Sequence, residues 1–271
     1  MYLEYYKLRE KPFNVTSDPN FLYMSKRHKE AFTYLVYGIK ERKGFIEITG
    51  EVGTGKTTLC RALLNRLDPC TKVAFIFNSD LSELQLLQAI VEDLGIKTEK
   101  RIKIDLFSKL NSFLIEQLKI GNNVVLILDE AQNLRPRALE QMRMLSNLET
   151  EKEKLFQIIL VGQPELRDKL NSPNLRQLRQ RISIRYHILP LEKDEIADYI
   201  KHRLLIAGSD GSIEFTEGAI EKIYEYSNGV PRLINVISDR ALLLGFVLET
   251  YRIDNKIIER SIEEIEGRVM V

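Results

Sequence analysis

The sequence predicts an α/β fold: a five-stranded parallel sheet with helices between its strands, then a C-terminal subdomain built of helices only. Three observations carry this. A glycine-rich stretch, Gly50 to Thr58, joins an apolar run to a helix-spaced segment. Four further short apolar runs alternate with helix-spaced segments up to Pro190. Beyond Pro190 the spacing is helical throughout.

The glycine-rich stretch organises the rest. Phe45, Ile46 and Ile48 lead into Gly50-Glu51-Val52-Gly53-Thr54-Gly55-Lys56-Thr57, followed by Thr58. This matches the G-x-x-x-x-G-K-[ST] phosphate-binding loop. Backbone N–H groups can surround triphosphate oxygens only where no Cβ blocks the approach, so glycine recurs. The helix expected from Lys56 to about Leu67 aims its N-terminal amides and dipole at the anion. Lys56 adds positive charge for the β- and γ-phosphates, and Thr57 offers a hydroxyl to Mg²⁺. A glycine-rich turn that binds nothing is the plain alternative, against which the flanking strand and helix patterns argue.

Composition excludes several classes. With 271 residues, 44% hydrophobic and 29% charged, the chain is long enough for a core domain with a small satellite. A formal net charge of +1 provides no global basic field for nucleic acid or an anionic membrane. Two cysteines, Cys60 and Cys70, are too few for a disulfide framework and fit a reducing cytosol. Met1 to Arg9 lacks the apolar segment of a signal peptide, and the longest apolar stretch, Ala241 to Leu248, is too short to span a bilayer. A cytoplasmic protein without a transmembrane segment is expected.

In order, residues 1–43 begin as an aromatic, loop-like segment broken by Pro12, Asp18 and Pro19, then form a helix capped by Ser25 and ending near Gly44. This segment is expected to flank a nucleotide. The core, 44–190, continues with a strand over Lys72–Phe77, with Asn78 at its end. Helices are expected over Leu81–Leu94 and Ile104–Ile120, the second stopped by Gly121-Asn122-Asn123. Val124 to Leu128 reads as a fully buried parallel strand. A helix from Pro136 to about Leu148 follows, then strands over Leu155–Val161 and Ile182–Leu189 around a basic segment, Arg176 to Arg181. Residues 191–271 carry helices near 194–207, 216–227, 231–249 and 255–266.

Asp129 and Glu130 end the Val124–Leu128 strand, at the edge where open α/β sheets hold ligands. Phosphoryl transfer to water needs a metal to neutralise oxygens and a group to orient the water. Asp129, with Thr57, is assigned to Mg²⁺ and Glu130 to the water. An acidic surface terminus is the alternative. His28, His187 and His202 are scattered, which predicts no role for them.

Together these features resemble the AAA+ ATPases of the P-loop NTPase class. The runs PFNVTSDPNFLYMSKRHKEA, TGEVGTGKTTLCRALL, VLILDEAQNL, LEQMRMLSNLE, IILVGQPEL, LRQLRQRI and GVPRLINVISDRALLL resemble the general secretion pathway protein A (ExeA-type) and MshM-like branch over about residues 2–250. The resemblance implies ATP and Mg²⁺ as cofactors and places Gln163 at the sensor 1 position, a loop-capping glutamine before Pro164 being the alternative. It makes Asn78 a polar partner of the catalytic glutamate, or a strand-end cap. Arg176, Arg179 and Arg181 fall in the arginine-finger segment, with Arg181 favoured and Arg179 next. A solvated basic face or a small nucleic-acid patch are the alternatives. Arg232, at the start of a lid helix, resembles sensor 2, the alternative being a salt-bridged helix-terminal arginine. A cation is not what a helix N-terminus prefers, which favours an anionic partner for it.

The resemblance implies an ATP-hydrolysing motor or switch that assembles as a homo-oligomeric ring or arc. Its hydrolysis would be coupled to a secretion, pilus or polysaccharide-export apparatus, and any place at the inner membrane would come through a partner. ExeA-type proteins carry a transmembrane segment and a peptidoglycan-binding region after the ATPase; this chain stops at Val271, so direct cell-wall binding is not expected of it. The alternative function is a DNA-binding AAA+ regulator of the TniB/MuB transposition type, which the near-neutral charge disfavours.

Overall fold

The computed structural model of the chain describes residues 1–77, 81–99, 102–149 and 153–267. In chain order the elements begin with α1 (Tyr2–Tyr5), α2 (Lys26–Lys40), β1 (Phe45–Gly50), α3 (Lys56–Leu64), β2 (Thr71–Ile76), α4 (Glu83–Asp93) and α5 (Lys103–Lys119). Then come β3 (Asn123–Leu128), α6 (Pro136–Leu145), β4 (Gln157–Gly162), α7 (Pro164–Leu170), α8 (Arg176–Arg181) and β5 (Ile182–Ile188). The chain continues with α9 (Glu195–Ile206), β6 (Glu214–Phe215), α10 (Glu217–Ser227), α11 (Pro231–Val247), β7 (Arg252–Ile253) and α12 (Asn255–Ile265). Two compact units emerge: Lys29–Gly50 with Leu59–Ile188, and Met1–His28 with Glu51–Thr58 and Leu189–Val271.

The first unit is built on the expected five-stranded sheet, ordered β2-β3-β4-β1-β5, with every neighbouring pair parallel. Strands β1, β3 and β4 are buried almost end to end, which is why β3 and β4 read as near-continuous apolar runs; in β1 the polar Glu47 and Thr49 are buried as well. Leu126, Leu128, Ile158 and Leu160 share one core with Leu86 and Ile90 of α4, Leu110 and Leu114 of α5, and Leu139 and Met142 of α6. Because β3, β4 and β1 are parallel neighbours, their C-terminal ends fall along one edge. The residues that follow β3 and β4 there are Asp129 and Gln163.

The second unit packs α9 to α12 around Ile196, Ile200, Ile223, Ile234, Ile237 and Ile258. The sequence reading of residues 1–24 as loop is corrected here. Tyr2–Tyr5 is a short helix and Pro19–Phe21 a 3₁₀ turn, each too brief to show a period. What holds α1 is nonlocal: Tyr2 Oη donates to Asp239 Oδ1 (2.6 Å), Tyr6 Oη to the Thr250 carbonyl (3.0 Å) and Tyr251 Oη to the Tyr5 carbonyl (2.6 Å). The all-helical reading of this region also misses the two-residue parallel pair β6–β7.

Other boundaries shift by a few residues. Helix α3 ends at Leu64 rather than Leu67, and α6 at Leu145 rather than Leu148. In both cases the chain tightens into i→i+3 bonds, Arg66 N–H to Leu63 O and Leu148 N–H to Leu145 O. Helix α4 starts later than expected, at Glu83, because Ser82 and Gln85 form a reciprocal capping box.

Candidate functional site

The phosphate-binding loop leaves β1 at Gly50 and opens α3 at Lys56. Gly53 and Gly55 lie at φ +83° and +89°, a left-handed backbone that lets successive N–H groups form an anion-binding concavity. Thr54 Oγ1 donates to the Glu51 carbonyl (2.9 Å), and the buried Lys56 donates its Nζ to the same carbonyl (2.8 Å). The loop is thus closed on itself with its ammonium group held inside, an arrangement that fits a triphosphate.

Arg232, the second residue of α11, meets this loop through its backbone. Its N–H, one of the amides that a helix start leaves unpaired, donates to the Gly53 carbonyl at 3.2 Å. A Cβ at Gly53 would stand 2.6 Å from the Arg232 Cβ, so glycine is needed there for close packing as well as for φ.

At the sheet edge, Asp129 is 2% exposed, and its Oδ1 accepts the Glu130 N–H at 2.9 Å. Glu130 itself takes a left-handed conformation, φ 53° and ψ 37°, which costs a non-glycine residue about 1–3 kcal/mol. Strain of this kind persists where surrounding contacts hold it, and two amides are among them. Gln163 Nε2 donates to Glu130 Oε2 at 3.0 Å, and Gln132 Nε2 donates to the same oxygen at 2.5 Å. The structure therefore brings Gln163 and Glu130 together. Thr57 and Asp129 belong to different units. Both offer hard oxygen donors, the chemistry that suits magnesium.

In the basic segment, Arg181 is bound within its own unit: Nη1 donates to Ser146 Oγ (2.8 Å) and to the Arg143 carbonyl (3.4 Å) at the end of α6. Arg179 is half-buried and Arg176 exposed. Asn78 lies outside the described residues.

Residues 39–170 match the AAA domain family AAA_22. Over 268 residues the chain is 43% identical to general secretion pathway protein A of Aeromonas hydrophila, covering 98% of this chain. The chain carries an AAA domain on an AAA+ P-loop fold. It spans about half, 49%, of the length of that relative. Among solved structures, the ORC2 protein of Aeropyrum pernix, in its ADPNP–ADP complexes, superposes with a TM-score of 0.69 at 16% identity. That match covers 94% of this chain and 71% of that one. Cdc6p from Pyrobaculum aerophilum gives 0.68 at 20% identity, over 90% and 70%. At such identities the likeness is one of fold, and it agrees with the AAA+ sheet described above. Among the described residues, no helix is long and apolar enough to cross a membrane.

Two side chains of this AAA+ protein escaped the sequence reading. One is Gln132. The other is His28, 3% exposed, whose Nε2 lies 2.9 Å from the Thr54 carbonyl of the phosphate loop and whose Nδ1 lies 2.7 Å from Ser25 Oγ. A carbonyl only accepts, so Nε2 carries the proton and Nδ1 accepts from the serine hydroxyl. Ser25 Oγ in turn accepts the His28 N–H at 3.3 Å, the cap expected at the start of α2. Burial holds the ring below the usual histidine range, partly opposed by the Thr54 bond and the Glu195 carboxylate. His202 is lowered in the same sense, by burial first and then by Arg203.

The sign of the pH effect follows. The folded state disfavours the protonated form of both rings, whereas an unfolded histidine takes up a proton near pH 6.5. Stability from these rings is fully present above that pH and is lost as pH falls below it. Thermal unfolding is expected to move to lower temperature between pH 7 and pH 5.5, and His28→Gln to reduce that shift. An unchanged pH dependence in the variant would remove His28 from the account.

Proposed function

We propose that this AAA+ protein binds Mg·ATP at the phosphate loop and hydrolyses it. It acts as an oligomeric motor or switch coupled to assembly of a secretion, pilus or exopolysaccharide apparatus. The observation that carries the hydrolytic part is the Gln163–Glu130 hydrogen bond at the sheet edge. It ties a carboxylate able to polarise water to an amide at the end of the neighbouring strand. Whole-chain similarity to a secretion-pathway protein supports the choice of apparatus.

The roles divide by chemistry. Gly50 to Thr58 hold the phosphates through backbone amides, and Lys56 balances their charge. Magnesium, held by Thr57 and Asp129, would neutralise β- and γ-phosphate oxygens; this pairing rests on the two motifs. Glu130 orients the attacking water and takes its proton. Gln163 serves as sensor 1, and Asn78 as a further polar partner of the glutamate. Arg232 reads the γ-phosphate for the helical region 191–271, while residues 1–43 flank the nucleotide. Arg181 or Arg179 from a neighbouring subunit supplies the finger. Arg181 would first have to release Ser146. The protein works in the cytoplasm, reaching the inner membrane through an envelope partner.

The test is turnover by purified protein. ATP hydrolysis is expected to require magnesium, and specific activity to climb with protein concentration, because a finger from a neighbour acts only in the assembled state. A flat dependence across the assembly range counts against a shared site. Salt-sensitive stimulation by duplex DNA, without stimulation by envelope proteins, would overturn the secretion reading in favour of a DNA regulator.

A further inference from the structure

We propose that Gln132 is the positioning residue for Glu130, the two glutamine amides together fixing how its carboxylate meets the attacking water. The proposal rests on the reading of Glu130 as the water-orienting base. Gln132 and Gln163 both donate to Glu130 Oε2. Two donors on one oxygen fix the carboxylate's rotation, which a single donor would leave free to swing.

Gln132 is itself locked in place. Its Oε1 accepts the Gln163 backbone N–H at 3.1 Å, which forces its NH₂ group to be the end that faces Glu130. Its carbonyl accepts from the ammonium of Lys169, which also donates to the Leu134 carbonyl at 2.9 Å, pinning the turn after β3 to α7. Gly162 makes the seat: a Cβ there would stand 2.8 Å from Gln132 Oε1. The end of β4 therefore supplies a gap for one amide, a backbone donor that orients it, and the second amide beside it. An exposed turn glutamine with only a solubility role would have none of these. The left-handed conformation of Glu130 is what turns its side chain into reach of both amides, only two residues from Gln132.

The test uses the full chain with Gln132→Leu, close in size but without a donor. Turnover is expected to fall about 10- to 100-fold, the scale of a misplaced catalytic group, with affinity for a non-hydrolysable ATP analogue within twofold of wild type. Placed in a Glu130→Gln background, the same change is expected to cost no further turnover. Wild-type turnover in Gln132→Leu, or equal loss of turnover and affinity, overturns the proposal. Should the leucine variant not fold, Gln132→Met is read by the same criteria. If Glu130→Gln alone keeps full turnover, the underlying reading of the base fails instead, and the two failures are thereby told apart.

Discussion

Glu130→Gln is expected to bind ATP as the wild type does and to lose about 10²–10⁴-fold in turnover, the usual range for removing a general base. The contacts of Glu130 make this substitution unusually clean. A glutamine carbonyl oxygen still accepts from the amides of Gln132 and Gln163, which now share Oε2. The left-handed backbone asks no more of glutamine than of glutamate. What disappears is the negative charge and the lone pair that takes the proton. Binding titrations with ATP and single-turnover kinetics separate the two effects. Equal loss of affinity would mean that residue 130 holds nucleotide rather than water, and the division of labour between Asp129 and Glu130 would have to be redrawn. Such a variant, held in ATP, is also the form in which a physiological partner is expected to co-purify.

What the sequence revealed of this site was local. The phosphate loop is legible because its backbone demands glycine at fixed spacing, and Gly53 and Gly55 indeed sit at positive φ. The acid pair is legible because two carboxylates end a buried parallel strand at the edge where such sheets hold ligands. The sheet followed from runs such as VVLIL, whose neighbours bury both faces. What stayed hidden depends on residues far apart or on an unsignalled backbone. Glu130 adopts positive φ without a glycine, so nothing in the side-chain pattern announced that Gln132 would turn back onto it. His28 reaches the loop across 26 positions. A scattered histidine gives no periodic signal, although its place in the first turn after Ser25 was a clue to a buried, capped ring. The aromatic N-terminus read as loop because its order comes from Asp239, Thr250 and Tyr251. Arg181 illustrates the reverse case: the family resemblance nominated it as a finger, and the fold adds a tie to Ser146 that no spacing rule contains.

Gly229→Ala is expected to be the most destabilising single-methyl change in the helical unit. The residue lies at φ +75°, directly after Asn228 at +47°, where the chain turns from α10 into α11. A side chain in that conformation costs about 1–3 kcal/mol by itself. Here the added Cβ would also stand 2.0 Å from the Leu191 carbonyl oxygen. That oxygen cannot move aside cheaply, because the Leu191 N–H is bonded to the Gly229 carbonyl at 2.9 Å. The two strands of chain would have to part, at a combined cost above about 3 kcal/mol out of the roughly 5–15 that a folded protein holds. Gly211→Ala is the control. It lies in the same unit at φ +90°, yet an added Cβ meets nothing within 4 Å, so it pays for conformation alone. Thermal unfolding should therefore drop several degrees further for Gly229→Ala than for Gly211→Ala, at about 2–4 °C per kcal/mol for a chain of this size. The consequence reaches the nucleotide loop, since this turn sets where α11 begins and hence where the Arg232 N–H meets the Gly53 carbonyl. ATP affinity is expected to weaken in Gly229→Ala at temperatures where the protein is still folded, and to hold in Gly211→Ala. Equal losses in the two variants would show that backbone conformation, not the contact with Leu191, is what this turn protects.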